Sequence, residues 1–176
     1  MSTLRFDCPA PLLVRGMQTR PECVADLPAL RALYREQRWA EFAMLEWDDV
    51  ARAAFIDQQF AAQQRHYTVS QEQVLFLVLL EDERVIGRMY LGGDAAGAVR
   101  LMDILLRPDR RGQGLGTALI AALLEQAAAD GRDVLLQVEK DNPAAGLYRR
   151  LGFHAYADTD IAWQMVWSRS GSCFPG

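Results

Sequence analysis

Three things are scarce in this sequence, and each scarcity excludes a class of protein. Long hydrophobic runs are missing. The longest uninterrupted aliphatic and aromatic stretch is Val74 to Leu80, far short of the roughly 20 residues a spanning helix needs, so no membrane association is expected. Cysteine is rare: Cys8, Cys23 and Cys173 are scattered and odd in number. They form neither a disulfide framework nor a metal site, so no metal is expected, and they fit a reducing cytoplasm. A basic excess is also missing. The net charge of −4 argues against nucleic acid as a partner, and any anion must be held by a local basic cluster. The opening residues MSTLRFDCPA carry no apolar core of a secretory signal. No repeat, low-complexity stretch or interdomain linker is visible.

What is present suits one domain with a full core: 176 residues, 51% hydrophobic and 24% charged. The domain is expected over residues 13–167, with a loose lead-in at 1–12 and a flexible tail at 168–176. Hydrophobic periodicity predicts a short strand over 11–17, helices over 26–38 and 47–65, and a hairpin over 74–91 turning at Asp82-Glu83. A strand over 101–106 leads to a strong helix over 114–129, closed by Gly131. A strand over 134–139 follows. A short helix over 142–151 has Asn142 as N-cap, Pro143 at its first position and Gly152 after its end. A last hairpin covers 153–167. The order β-α-α-β-β-β-α-β-α-β-β reads as an α/β or α+β fold.

The densest signal is DRRGQGLGTALI, Asp109 to Ile120. Gly112, Gly114 and Gly116 stand at the mouth of a helix, beside Arg107, Arg110 and Arg111. A helix N-terminus offers unpaired N–H groups to an anion. Glycines let that backbone come close to a bulky ligand. The plain alternative is a glycine-rich turn with solvated arginines. The succession of strand, basic glycine loop and long apolar helix favours phosphate. The loop is no P-loop, for it has no lysine, and its G-x-G-x-G spacing is not the dinucleotide fingerprint.

Arg111-Gly112-Gln113-Gly114-Leu115-Gly116 instead resembles the R/Q-x-x-G-x-G/A motif of the GNAT family of N-acetyltransferases. VEKDNPAAGLYRRLGF is similar to that family's second signature, with Asn142, Leu147, Tyr148, Gly152 and Phe153 matching. The gap from Asn142 to Tyr148 is one residue shorter than the commonest form. The resemblance implies a mixed, mostly antiparallel twisted sheet flanked by helices and splayed between its two central strands. It implies acetyl-coenzyme A as acyl donor, with its pyrophosphate on Arg111, Gly112, Gln113, Gly114, Leu115, Gly116 and Thr117. Pantetheine would lie along the main chain of Ile104, Leu105 and Leu106, with Asn142 nearby. The acceptor would be the amine of a small molecule, amino acid or peptide, and a homodimer is one option for the assembly.

Within that frame Tyr148 is the expected proton donor to the leaving thiolate; packing beside Leu147 and Leu151 is its plain alternative. Asp103 and Glu139, acting through water, are the expected bases, since Gln137 stands where some relatives place a glutamate. Strand alternation puts Val99, Leu101, Asp103 and Leu105 on one face. A carboxylate there is either paired, with Arg88 or Arg100, or has a raised pKa. Trp39, Phe42, Trp47, Glu41 and Glu46, with the last hairpin, are candidates for the acceptor pocket, the aromatics equally for the core. His66 and His154 read as surface or packing residues. Two other functions compete: a non-catalytic acyl-coenzyme A sensor and a scaffold module. The intact loop and Tyr148 argue against both.

Overall fold

The computed structural model describes residues 3–70, 73–94 and 96–169. Seven strands form one sheet: β1 (Met17–Pro21), β2 (Gln73–Glu81), β3 (Arg84–Gly93), β4 (Val99–Leu106), β5 (Val134–Glu139), β6 (His154–Asp158) and β7 (Ala162–Trp167). Their spatial order is β1-β2-β3-β4-β5-β7-β6, and every neighbouring pair is antiparallel except β4 with β5. A parallel pair needs a crossover, and α4 (Leu115–Ala129) supplies it.

The helices divide the core in two. α1 (Ala10–Leu13), α4 and α5 (Ala144–Arg150) bury Leu12, Leu115, Leu119, Leu123 and Ala145 against one face, with Leu77, Met89, Leu101, Leu136 and Met165. α2 (Leu27–Arg38) and α3 (Asp49–Ser70) bury Leu30, Leu33, Tyr34, Ile56 and Phe60 against the other, with Val78, Leu80 and Leu105. The β2–β3 hairpin turns where the sequence predicts: Asp82 and Glu83 both adopt positive φ, the backbone of a tight two-residue turn.

Two expectations change. Residues 11–17 do not form a strand. The short α1 starts at Ala10 with Pro11 in its first turn, and the strand begins at Met17, since proline is tolerated in a first helical turn and has no N–H for a ladder. Residues 3–12 are not a loose lead-in either: Leu4, Phe6 and Leu12 belong to the α4-side core, and Asp7 exchanges two hydrogen bonds with the side chain of Gln126 on α4. The tail expected over 168–176 lies mostly outside the described residues. α3 runs to Ser70, five residues past its predicted end.

Leu12 is 1% exposed, so Leu12→Ala should cost about 2–5 kcal/mol in stability, as for other buried leucines. Chemical denaturation checks this. A loss below about 0.5 kcal/mol, the scale of a surface change, would restore the lead-in reading.

Candidate active site

The site begins where pairing stops. β4 and β5 are bonded only through Val99↔Val134, Arg100↔Leu135 and Leu101↔Leu136. Beyond Leu101 the strands part. β4 stays with β3 and β5 stays with β7. The Arg107 N–H donates to Ile86 O on the β3 side at 2.9 Å. By alternation the main-chain groups of Ile104 and Leu106 turn into the gap, and those of Leu105 turn to β3. Backbone polar groups need partners, so the gap's edge is fitted to an extended ligand with amides of its own.

On the α4 face the gap opens into a cavity of about 760 Å³. Ile104, Leu105, Leu106, Arg111, Gly112, Gly114, Leu115, Gly116, Thr117 and Asn142 line it, so ten of the expected residues meet here. Gly112 and Gly114 have φ of +70° and +78°, and a Cβ on either would meet no atom within 4 Å. No side chain caps the N-terminus of α4. The first turn therefore presents bare N–H groups to the cavity, as an anion requires. Gln113 is the exception to the expected set: its side chain turns back to donate to Asp109 O at 2.8 Å. Asn142 uses its Oδ1 to accept the Ala144 N–H at 2.9 Å, but it is not the expected N-cap: Pro143 holds that position and α5 starts at Ala144. The three arginines do not act together. Arg107 pairs with Asp109 and Arg110 with Glu81. Arg111, held by a bond from Nε to Leu106 O, remains at the cavity.

On the α3 face two connected cavities, of about 270 and 420 Å³, share Leu101, Met102, Gln137 and Glu139. The first also holds Tyr34, Arg38, Glu41, Gln63, Arg88, Asp103 and Tyr148. Here the expected face of β4 needs correction. Tyr90 faces Asp103 and Leu91 faces Leu101, so Met102 is an extra residue, a bulge. The alternation shifts by one. Val99 and Leu101 point to the α4-side core, while Leu105 joins the α3-side core and Asp103 faces the acid-lined cavity.

Asp103 is paired, with Arg88 rather than Arg100: Arg88 Nε donates to its Oδ2 at 2.5 Å, and Nη2 to Gln63 Oε1 at 2.7 Å. Arg88 is 1% exposed and lies over the rings of Tyr34, Phe60 and Tyr90. Burial pushes the Asp103 carboxyl up, opposed by the Arg88 charge and by the Ile104 amide. Glu139 is exposed, lines both α3-side cavities and points away from the core.

Tyr148 stands in the gap itself. It lines the α4-side cavity and the smaller α3-side one. It is buried in an edge contact with Phe153, so it also packs. Burial, with the Asp103 charge second, pushes its phenol up to about 12. The unfolded value is about 10. The hydroxyl thus keeps its proton throughout the neutral and mildly alkaline range.

The predicted aromatics are packing residues. Phe42 and Trp47 each stack edge-on against Phe55, and Trp39 lies under Arg52. Glu41 does reach the acid-lined cavity, where Arg38 pairs with it; the described lining includes neither Glu46 nor the last hairpin. Sequence reasoning missed Tyr34, Gln37, Gln63 and Arg150, which also line the site. Tyr34, Arg38 and Glu41 follow helical spacing, a signal that marked a face without saying what it faced. Among the described residues no three His, Cys, Asp or Glu side chains gather as metal ligands, and no helix is long and apolar enough to cross a membrane.

The family model described as "Acetyltransferase (GNAT) family" matches residues 30–153. An L-methionine sulfoximine/L-methionine sulfone acetyltransferase of Pseudomonas paraeruginosa is 48% identical over 52 residues, 28% of this chain and 30% of that protein. A mycothiol acetyltransferase of Clavibacter michiganensis is 46% identical over 85 residues, 46% of this chain and 26% of that protein. The matched part is thus under a third of each relative's length. Among solved structures, the PaiA N-acetyltransferase of Thermoplasma acidophilum in complex with coenzyme A superposes with a TM-score of 0.65 at 19% identity, over 86% of this chain and 98% of that one. YncA of Salmonella typhimurium with acetyl-CoA gives 0.57 at 21% identity, over 92% and 98%. At such identities the likeness is one of fold.

The buried pair should behave as a unit. Arg88→Met leaves Asp103 as an unpaired buried carboxylate and should cost about 3–5 kcal/mol. Adding Asp103→Asn should recover a large part of that loss, a coupling read from a double-mutant cycle of denaturation curves. Additive losses would show that the two side chains do not depend on each other.

Proposed function

The chain belongs to the acetyltransferase (GNAT) family, and on that premise we propose that it moves the acetyl group of acetyl-coenzyme A to a primary amine. The acceptor is a small molecule, amino acid or peptide, attacked directly within a ternary complex. The observation that carries this reading is the gap between β4 and β5. It joins a glycine-lined, anion-receiving cavity on one face to a carboxylate-lined cavity on the other, with Tyr148 on both.

Each step then has a residue. The open turn of α4 and Arg111 receive the pyrophosphate. The gap-facing main chain of Ile104 and Leu106 pairs with pantetheine and brings the thioester between the cavities. Asp103 is committed to Arg88, so its part is to position β4. Glu139 is the base, taking the amine's proton through water. The amine nitrogen bonds to the carbonyl carbon, the carbon–sulfur bond breaks, and Tyr148 gives its proton to the departing thiolate. A non-catalytic sensor would use the first cavity and leave Tyr148 and the second without a role. The proposed location is the cytoplasm, supported by the sparse cysteines, of which Cys8 and Cys23 are free.

The direct test is release of coenzyme A thiol from acetyl-coenzyme A against a panel of amines, with acetylated products identified by mass spectrometry. Binding of acetyl-coenzyme A without turnover of any amine would leave the sensor. In the same assay Tyr148→Phe should lower kcat by about 10²-fold. The phenol's value near 12 also sets the pH profile: the wild-type rate should show no alkaline fall below pH 10. Full kcat in folded Tyr148→Phe protein would return Tyr148 to a packing role. Gly116→Val tests the loop. Its new Cβ would sit 3.8 Å or more from Leu106 and Leu147, so the fold should tolerate it, while the branch enters the cavity. Calorimetry should show acetyl-coenzyme A affinity reduced at least tenfold, about 1.4 kcal/mol. Unchanged affinity would remove the phosphate assignment.

A further inference from the structure

The charges around the α3-side cavities can be paired off, and two are left over. Arg88 is matched by Asp103, and Arg38 by Glu41 at 3.0 Å. Glu139 and Arg100 also line this space. The side chain of neither has a hydrogen-bond or ion-pair partner among the described residues. Both project from the α3 face of the sheet, because their neighbours Val99, Leu101 and Val138 point to the α4-side core. They stand at opposite ends of one groove. Arg100 is on the paired part of β4, beside Leu135. Glu139 is at the open end of β5, on the cavity it shares with Tyr148. Between them lie Met102, Leu101 and the Tyr67 side chain.

A groove with one unmatched anion and one unmatched cation is complemented by a ligand that carries both charges. We propose that the acceptor is a free amino acid, its ammonium at Glu139 and its carboxylate on the Arg100 guanidinium. A guanidinium binds a carboxylate through two parallel N–H donors. The amine end then lies next to Tyr148 and the gap, where the acetyl group would arrive. A diamine of similar size would set its second ammonium against Arg100, a like-charge contact that the groove penalises. An uncharged tail would leave the guanidinium without its partner. The apolar atoms of Met102 offer contact to an aliphatic side chain. This inference rests on the acetyl-transfer reading for its chemistry, though not for its binding geometry.

The experiment uses the whole chain saturated with coenzyme A and measures binding by saturation-transfer NMR and calorimetry. The probes are the twenty common L-amino acids, followed by the methyl ester and the decarboxylated amine of each one that binds. At least one amino acid should bind ten times more tightly than its own ester and amine. Arg100→Ala should reduce that preference to within about twofold, and Arg100→Lys should recover part of it. Coenzyme A affinity should stay at the wild-type value in both variants, because Arg100 is not on the α4-side cavity. Turnover of the same compounds separates the two claims. Arg100-dependent binding without acetylation would keep the carboxylate site and remove the acetyl-transfer reading. Acetylation of esters and amines as readily as of acids would keep that reading and overturn the carboxylate site. Binding of none of the amino acids, or a preference unchanged in Arg100→Ala, would overturn it as well.

Discussion

The site depends on a ladder that is left unfinished. A parallel pair of strands ordinarily bonds along its length, since an unpaired backbone amide inside a protein costs free energy. Here β4 and β5 bond at three positions and then separate. What would be a defect in the middle of a sheet becomes a slot with its polar edge exposed. α4, the crossover that the parallel pair requires, necessarily starts beside the open end. Its bare N-terminus and the slot are therefore neighbours by topology. One connection supplies both the uncapped turn and the start of the slot that leads from it through the sheet.

Holding the slot open calls for stiffness on the β3–β4 side. The Arg88–Asp103 pair provides it, with Gln63 of α3 bonded to the same guanidinium and three aromatic rings around it. A buried pair is weak as a source of stability, because desolvation of both ions offsets most of their attraction. It is strong as a constraint, since neither partner can leave without stranding the other. Tyr148 feels the same charge from across the gap, so the group that braces one wall also helps keep the phenol protonated.

Much of this was legible in the sequence because the signals are local. The glycine loop, the helix after it and the second signature around Tyr148 are contiguous stretches, and Arg111, Gly112, Gly114 to Thr117, Asn142, Leu147 and Tyr148, all named from them, line one cavity. The hairpin at Asp82-Glu83 and the glycines that close α4 and α5, Gly131 and Gly152, are local too. What failed was non-local. Leu4 and Phe6 look like a loose start until α4 is there to cover them. Arg107 and Arg110 look like phosphate ligands until Asp109 and Glu81 claim them. Tyr34, Gln63 and Arg88 belong to three separate elements, and no spacing along the chain announces that they meet. The face of Asp103 was misread for a different reason. Period-two alternation holds only for an uninterrupted strand, and nothing in Val-Arg-Leu-Met-Asp-Ile-Leu-Leu marks Met102 as surplus.

That surplus residue divides β4 into two segments of opposite phase. Upstream, odd-numbered side chains serve the core beneath α4. Downstream, odd-numbered side chains serve the other layer and its acids. The chain thus takes one strand to both sides of the sheet without a turn. The arrangement depends on where the ladder slips rather than on composition. Were Met102 to take a regular place in the ladder, with no slip between Tyr90 and Leu91, the destinations of Asp103 and Ile104 would be exchanged. The carboxylate would then enter the hydrocarbon layer and an isoleucine would face Arg88. Deleting Met102 would instead leave both destinations as they are, because Leu101 and Asp103 already oppose the adjacent residues Leu91 and Tyr90.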